Sequence, residues 1–320
     1  MKLKELGERK IIEIFAKNFD RCENAAVGIG DDAAVFRLDG ENHLVVSTDI
    51  ITQKTHIPRE MTPLQIGKYA VNVNLSDIAS MGAEPLGLVF SFGLPGDIDE
   101  KFIEELSSGI NDACTEHGTR VLGGDTKEHS EIVIAGTALG KVKEDRFLTR
   151  AGAKAGDIIG VTGKIGSAAA GFYCLTKEIG DTDKFIKAAL EPKARVKEGA
   201  VLSKYASACM DISDGLAFSL HEIARESNKG FRIYEERIPA DEGLDRVSEL
   251  SGVPVGEMLF HKGGDFELLF TAAKDRFEAL EREINITAIG EVTERGAIIK
   301  KDGKESELKP RGYDSFLDYR

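Results

Sequence analysis

Six short stretches that set aspartate beside glycine, asparagine or a hydroxyl residue carry residue types suited to metal and phosphate chemistry. They are Gly28-Ile29-Gly30-Asp31-Asp32, Thr48-Asp49, Asn74-Leu75-Ser76-Asp77, Gly123-Gly124-Asp125-Thr126, Asp211-Ile212-Ser213-Asp214-Gly215 and Gly263-Gly264-Asp265. Adjacent carboxylates such as Asp31 and Asp32 repel unless a cation lies between them. Mg²⁺ takes oxygen ligands of this kind, commonly one or two carboxylates together with substrate phosphates. Glycines beside them let backbone amides approach an anion, and Arg150 can add a fixed positive charge to a phosphate. The same residues also make good exposed turns. Several of the six, however, stand at the ends of apolar strands, where α/β folds place their ligands, and turns alone do not explain so many recurrences.

Other chemistries find less support. Cys22, Cys114, Cys174 and Cys209 are widely spaced with no Cys-x-x-Cys pair, so neither zinc nor a disulfide framework is indicated and buried free thiols are expected. His43, His117, His129, His221 and His261 read as ordinary surface or core residues, and no Gly-x-Ser-x-Gly elbow is present. Gly163-Lys164 lacks the rest of a phosphate loop. With 55 acidic against 42 basic residues the net charge is −13, which repels nucleic acid and anionic membranes, so a polyanionic substrate needs metal ions to bring it in. The segment Met1-Lys2-Leu3-Lys4-Glu5 lacks the apolar core of a signal peptide, and no apolar run approaches the roughly 20 residues of a membrane span. A cytoplasmic protein with neither membrane nor nucleic-acid partners is expected.

The elements that must position the aspartates follow from periodicity. Apolar residues at helical spacing predict a helix over 3–19, followed by strands at 33–38 and 43–48 around an Asp39-Gly40 hairpin turn, so that Asp49 emerges at a strand end. After a loop over 50–61, Thr62-Pro63 caps a helix running to about Ser80 and stopping at Gly82. On it Asn74 and Asp77 share a face that must meet a metal, a ligand or another polar chain. Strands at 86–94, 120–123 and 131–142 and a helix at 99–117 complete a first domain, 1–148, of mixed α/β (α+β) class. The second domain, 149–320, should hold strands at 157–162, 207–212, 231–235, 266–271, 288–292 and 297–300. Its helices are expected near 166–177, 194–205, 214–227, 241–250 and 274–284, with a solvated turn and edge at 300–311.

Taken in order, Gly28-Ile-Gly-Asp-Asp-Ala-Ala34, Ser47-Thr-Asp49, Asn74-Leu-Ser-Asp77, Gly123-Gly-Asp-Thr126, Arg150-Ala-Gly-Ala-Lys-Ala-Gly-Asp157, Asp211-Ile-Ser-Asp-Gly-Leu216, Gly264-Asp-Phe-Glu-Leu-Leu-Phe270 and Gly312-Tyr-Asp-Ser-Phe316 resemble the thiamine-monophosphate kinase family over nearly the whole chain. The resemblance implies the two-domain fold of the aminoimidazole-ribonucleotide synthetase superfamily, with first-domain sheets joined in a homodimer. It also implies ATP and several Mg²⁺ ions in the cleft. By position, Asp31, Asp32, Asp49, Asp77, Asp125 and Asp214 would hold metal, with Thr48 and Ser213 as neighbouring ligands. Gly124, Asp125 and Arg150 would face the ATP phosphates, with Ser213 beside them. His56 and Tyr313 would meet thiamine monophosphate. Thr52-Gln-Lys-Thr-His-Ile57, Gly264 and Ser315 depart from the family pattern on the acceptor side. The implied reaction is in-line transfer of the γ-phosphoryl group onto a phosphate that is already a dianion, so no general base is required. An aminoimidazole-ribonucleotide-synthetase-like ligase and a non-catalytic nucleotide-binding regulator are the rival readings.

Overall fold

The computed structural model describes residues 2–20, 22–180 and 182–317. Two twisted sheets carry the chain. The first holds β1 (Ala25–Val27), β2 (Ala34–Arg37), β3 (Asn42–Thr52), β4 (Glu84–Leu94), β5 (Val121–Glu128) and β6 (Val133–Lys143) in the order β1-β2-β3-β6-β4-β5, antiparallel except for β4 and β5. The second holds β7 (Ile158–Thr162), β8 (Ala208–Asp211), β9 (Gly230–Tyr234), β10 (Leu268–Ala272), β11 (Ile286–Thr293), β12 (Ala297–Lys301) and β13 (Lys304–Glu307) in the order β13-β12-β9-β11-β7-β10-β8. β13 is the exposed edge expected near 300–311.

The helix Pro63–Ser80 joins the two. Thr62 Oγ1 accepts from the Gln65 amide, Gln65 reaches back to the Thr62 amide, and Pro63 opens the first turn, so the expected Thr62-Pro63 start is completed by a capping box. Gly82, at φ +70°, ends it in the left-handed conformation that glycine adopts at little steric cost. Thirteen of its 18 residues are buried, as befits a helix covered on all sides. It packs on β3, β4 and β6 and reaches β8 of the second sheet. Two glycine contacts fix its place. A Cβ on Gly109 would lie 2.0 Å from the Leu64 carbonyl oxygen, and one on Gly199 would lie 2.1 Å from that of Ala79. One apolar cluster runs from Val35, Val45 and Leu75 through to Cys209, Leu268 and Phe270, so the sheets share a core.

Several expectations are corrected. The first helix breaks at Gly7 (φ +76°) into Leu3–Leu6 and Glu8–Asn18. β3 does not stop at Thr48 but pairs with β6 over 11 residues to Thr52, so Asp49 lies within a strand, and the expected loop begins with a short helix, Gln53–His56. β5 continues through Gly124 and Asp125, because it pairs with β4 as far as Glu128. Asp214 stands before its helix, which starts at Leu216. Two short helices, Asp183–Leu190 and Val255–Phe260, went unread. Cys114, Cys174 and Cys209 are buried free thiols, whereas Cys22 is exposed. No described helix is long and apolar enough to cross a membrane.

Candidate active site

The alternation of β3 turns Ser47 and Asp49 towards the Pro63–Ser80 helix and Thr48 away from it. Ser47 donates to the Asp77 carboxylate, and the Asp49 amide donates to Asn74 Oδ1 at 3.1 Å. Asn74 Nδ2 donates to the Ala70 carbonyl at 2.8 Å. Gly136 sits opposite Asp49 on β6, and a Cβ there would come within 2.4 Å of Asn74, so glycine is what lets helix and strand meet at this point. Two residues along, Ser76 donates to Asp211 at 2.7 Å. The helix thus holds one aspartate of its own and orients another at the end of β8.

The Asp31-Asp32 turn reaches the same place. The Arg150 amide faces both Asp31 oxygens at 3.3 and 3.2 Å, while the Arg150 guanidinium donates through Nε (2.9 Å) and Nη2 (2.6 Å) to Asp32 Oδ1. Asp32 Oδ2 accepts from the Asp211 amide at 3.3 Å. The Asp32 side chain is 1% exposed. Behind Arg150 lies the buried Glu222, 3.4 Å away, itself paired with Arg9 at 2.7 Å and Arg225 at 2.7 Å.

Carboxylates gathered in this way titrate abnormally. Burial, and then the charge of Asp32, raises Asp31 to about 6 despite backbone hydrogen bonds from Asp32 and Arg150. Burial raises Asp49 to about 6, with Glu8 adding to it. Burial and the charge of Asp32 raise Asp211 to about 7, against the Ser76 hydroxyl and Arg150. Burial, then Glu8, Asp211 and Asp49, raises Asp214 to about 8. Asp77 is pushed well above the ordinary carboxylate range by burial and by Asp211, Asp32 and Asp49. Burial and mutual repulsion act on all five aspartates together, and their side-chain donors are all oxygen, the set suited to Mg²⁺. As the side chains stand, no three of the described His, Cys, Asp or Glu groups converge closely enough to hold one ion. Arg150 neutralises Asp32 instead.

The other expected residues are more dispersed. The Thr48 hydroxyl lies on the opposite face of β3 from the cluster and donates to the Gly136 carbonyl at 2.7 Å. Gly124 and Asp125 lie on the edge strand β5, with β6 and β4 between them and β3. At about 4.8 Å per strand, three steps put them roughly 14 Å from Asp49. Asp125 is 64% exposed and faces Lys127 at 3.6 Å, and a Cβ on Gly124 would meet the Phe90 carbonyl oxygen at 2.0 Å, so strand packing alone requires glycine there. Ser213 accepts the Gly264 amide on its carbonyl at 2.8 Å, next to Asp214, whose own carbonyl accepts the Tyr313 amide at 2.8 Å. Tyr313 is therefore at the cluster. His56 follows β3, its Nδ1 accepting from the Thr52 amide at 3.2 Å and lying 2.6 Å from Thr55 Oγ1. Burial lowers its pKa. Sequence reasoning passed over Asp211, although its i, i+3 spacing to Asp214 was in view, and it passed over Glu8 and Glu222, which no motif marks.

Residues 30–142 match the family model "AIR synthase related protein, N-terminal domain", and residues 154–301 match its C-terminal counterpart. A thiamine-monophosphate kinase of Pyrococcus horikoshii is 38% identical over 311 residues, 97% of this chain and 96% of that protein. One from Methanospirillum hungatei is 41% identical over 96% of this chain and 99% of its own length. Among solved structures, "AaThiL complexed with AMPPCP and TMP" superposes with a TM-score of 0.88 at 32% identity, covering 98% of this chain and 99% of that one. Identity of this order across the whole length of both chains leaves little of either unaccounted for, and the chain belongs to the thiamine-monophosphate kinase family, on the two-domain architecture of the AIR synthase related proteins.

Proposed function

We propose that this protein transfers the γ-phosphoryl group of ATP to the phosphate of thiamine monophosphate, giving thiamine diphosphate and ADP, in a reaction that depends on Mg²⁺. The observation that carries this reading is the buried aspartate cluster between the sheets, where burial and neighbouring carboxylates raise Asp31, Asp49, Asp77, Asp211 and Asp214 above the ordinary carboxylate range. These aspartates would hold the ions, and bound Mg²⁺ would neutralise the charge that ATP and the acceptor phosphate bring together. The protein's own part is positioning. Ser76 and Ser47 fix the rotamers of Asp211 and Asp77, and Arg150 ties the Asp31-Asp32 turn to the second domain. Tyr313 offers an aromatic face to the cationic thiazolium ring, an attraction of about 0.5–2 kcal/mol. His56 is the additional donor to the acceptor phosphate. The acceptor, a dianion at neutral pH, needs no base to deprotonate it.

The working form in this reading is a cytoplasmic homodimer. All eight residues of the edge strand β5 are exposed, Val121 to 44% and Leu122 to 59%, and Leu86 beside them to 49%, an unprotected apolar edge that invites a second copy. Gly124 and Asp125 enter the site through that dimer, since the edge that carries them is the surface the partner covers. The test is to supply γ-labelled ATP and Mg²⁺ with thiamine monophosphate and, separately, with free thiamine. Label should appear in thiamine diphosphate, with free thiamine a far poorer acceptor. Label released as inorganic phosphate, and then only with a formyl-amide ribonucleotide substrate, would favour the ligase reading.

A further inference from the structure

A hollow of about 380 Å³, lined by none of the clustered aspartates, opens between residues 145–149, the turn 203–207 and the helix Lys274–Leu280. Three cationic side chains line it, Arg146 from the connection and Lys204 and Arg276 from the second domain, against one carboxylate, Asp145. Such an excess stands out in a chain of net charge −13, whose overall field repels anions. Among the described residues Arg146 and Arg276 have no ion-pair partner, and Lys204 has Glu283 at 3.5 Å, both side chains being well exposed. The hydroxyls at its wall are already committed, Ser203 to the Ala200 carbonyl at 2.8 Å and Ser207 to Asp157 at 2.6 Å. The unfilled capacity of the hollow is therefore cationic.

We propose that this hollow binds the diphosphate group of a small phosphorylated metabolite, held between Arg146 on one wall and Arg276 and Lys204 on the other. Guanidinium groups suit such an anion because each can donate two parallel hydrogen bonds to phosphate oxygens. The volume holds about a dozen waters at roughly 30 Å³ each, more than one phosphate displaces, and cations on two walls match an anion charged at both ends. The position also links the hollow to the aspartates. Thr149, in its wall, accepts from the Cys209 amide at 2.9 Å and precedes Arg150, and β8 runs from beside Ser207 to Asp211.

The test is calorimetric titration of inorganic pyrophosphate into the purified protein in EDTA, where no divalent ion can carry the anion to the aspartate cluster. One saturable site per chain is expected. Arg146→Ala and Arg276→Ala should each weaken it at least about tenfold, as loss of a charge-assisted partner does, while Arg37→Ala, on the far sheet, leaves it unchanged. ADP and thiamine diphosphate in the same assay distinguish the sources. Equal affinity assigns the diphosphate group alone, and a preference names the metabolite. The proposal is overturned by the absence of saturable binding at millimolar pyrophosphate, or by binding that survives both arginine substitutions.

Discussion

Asp211 shows how one residue of the proposed site can stand at a cost to the fold. The residue is 3% exposed, its carboxylate is oriented by Ser76, and in the proposed reading it would lie beside bound Mg²⁺. Asp211→Asn should therefore lower ATP-dependent turnover at least about a hundredfold, the scale of one strong electrostatic contributor, while raising the melting temperature of the metal-free protein by relieving Asp77 and Asp214. Steady-state kinetics and thermal melts of the folded variant check both halves. The same repulsion sets a pH dependence. The folded-state pKa values of Asp31, Asp49, Asp211 and Asp214, at about 6, 6, 7 and 8, all lie above the ordinary value near 3.9. Through these four groups the folded chain binds more protons than the unfolded one between about pH 4 and pH 8, and their contribution to stability falls as pH rises. Melts in EDTA should drop by several degrees from pH 5 to pH 8, and Mg²⁺ should remove most of the slope. A flat profile without metal would show that these carboxylates do not repel one another in solution.

At the scale of elements, the Pro63–Ser80 helix was the most legible part of the sequence, and the reasons are local. Thr62-Pro63 is a cap that the backbone must use, and Gly82 is a stop that few other residues can supply. β3 was misread at Asp49 because its continuation depends on β6, some 90 residues away, and local alternation says nothing of such a partner. The site followed the same division. Motifs marked Asp31, Asp32, Asp49, Asp77 and Asp214, whereas the Arg150–Asp32 pair and Glu222 behind it arise only when two sheets meet, and the distance of Asp125 only from the strand order of the first sheet. The helix also carries a prediction. Gly109 and Gly199 press backbone against its two ends, so a Cβ at either position must push it aside, at a cost of about 1–3 kcal/mol or more. Gly199→Ala bears on the turn beyond Asp77. It should reduce Mg²⁺-dependent activity beyond its effect on stability, whereas Gly109→Ala, at the opposite end, should act mainly on the melting temperature. Parallel kinetics and melts of the two variants would separate these effects.

At the scale of the whole molecule, the exposed β5 edge predicts a dimer at micromolar concentration. Leu122→Lys should dissociate it in sedimentation and abolish turnover if Asp125 works across the interface, and an active monomeric variant would remove Asp125 from the site. The placement of the four thiols has a practical consequence. Cys22 is open to solvent, while Cys209 lies fully buried in β8 with its pKa pushed well above the ordinary thiol value by burial and the neighbouring aspartates. A maleimide should label the native chain once and quickly. It can reach Cys209 only when β8 parts from β10 or the fold opens. The slow modification rate of Cys209 is thus a clock for the opening of the strand that ends in Asp211, and nucleotide with Mg²⁺ should slow that clock without touching the rate at Cys22.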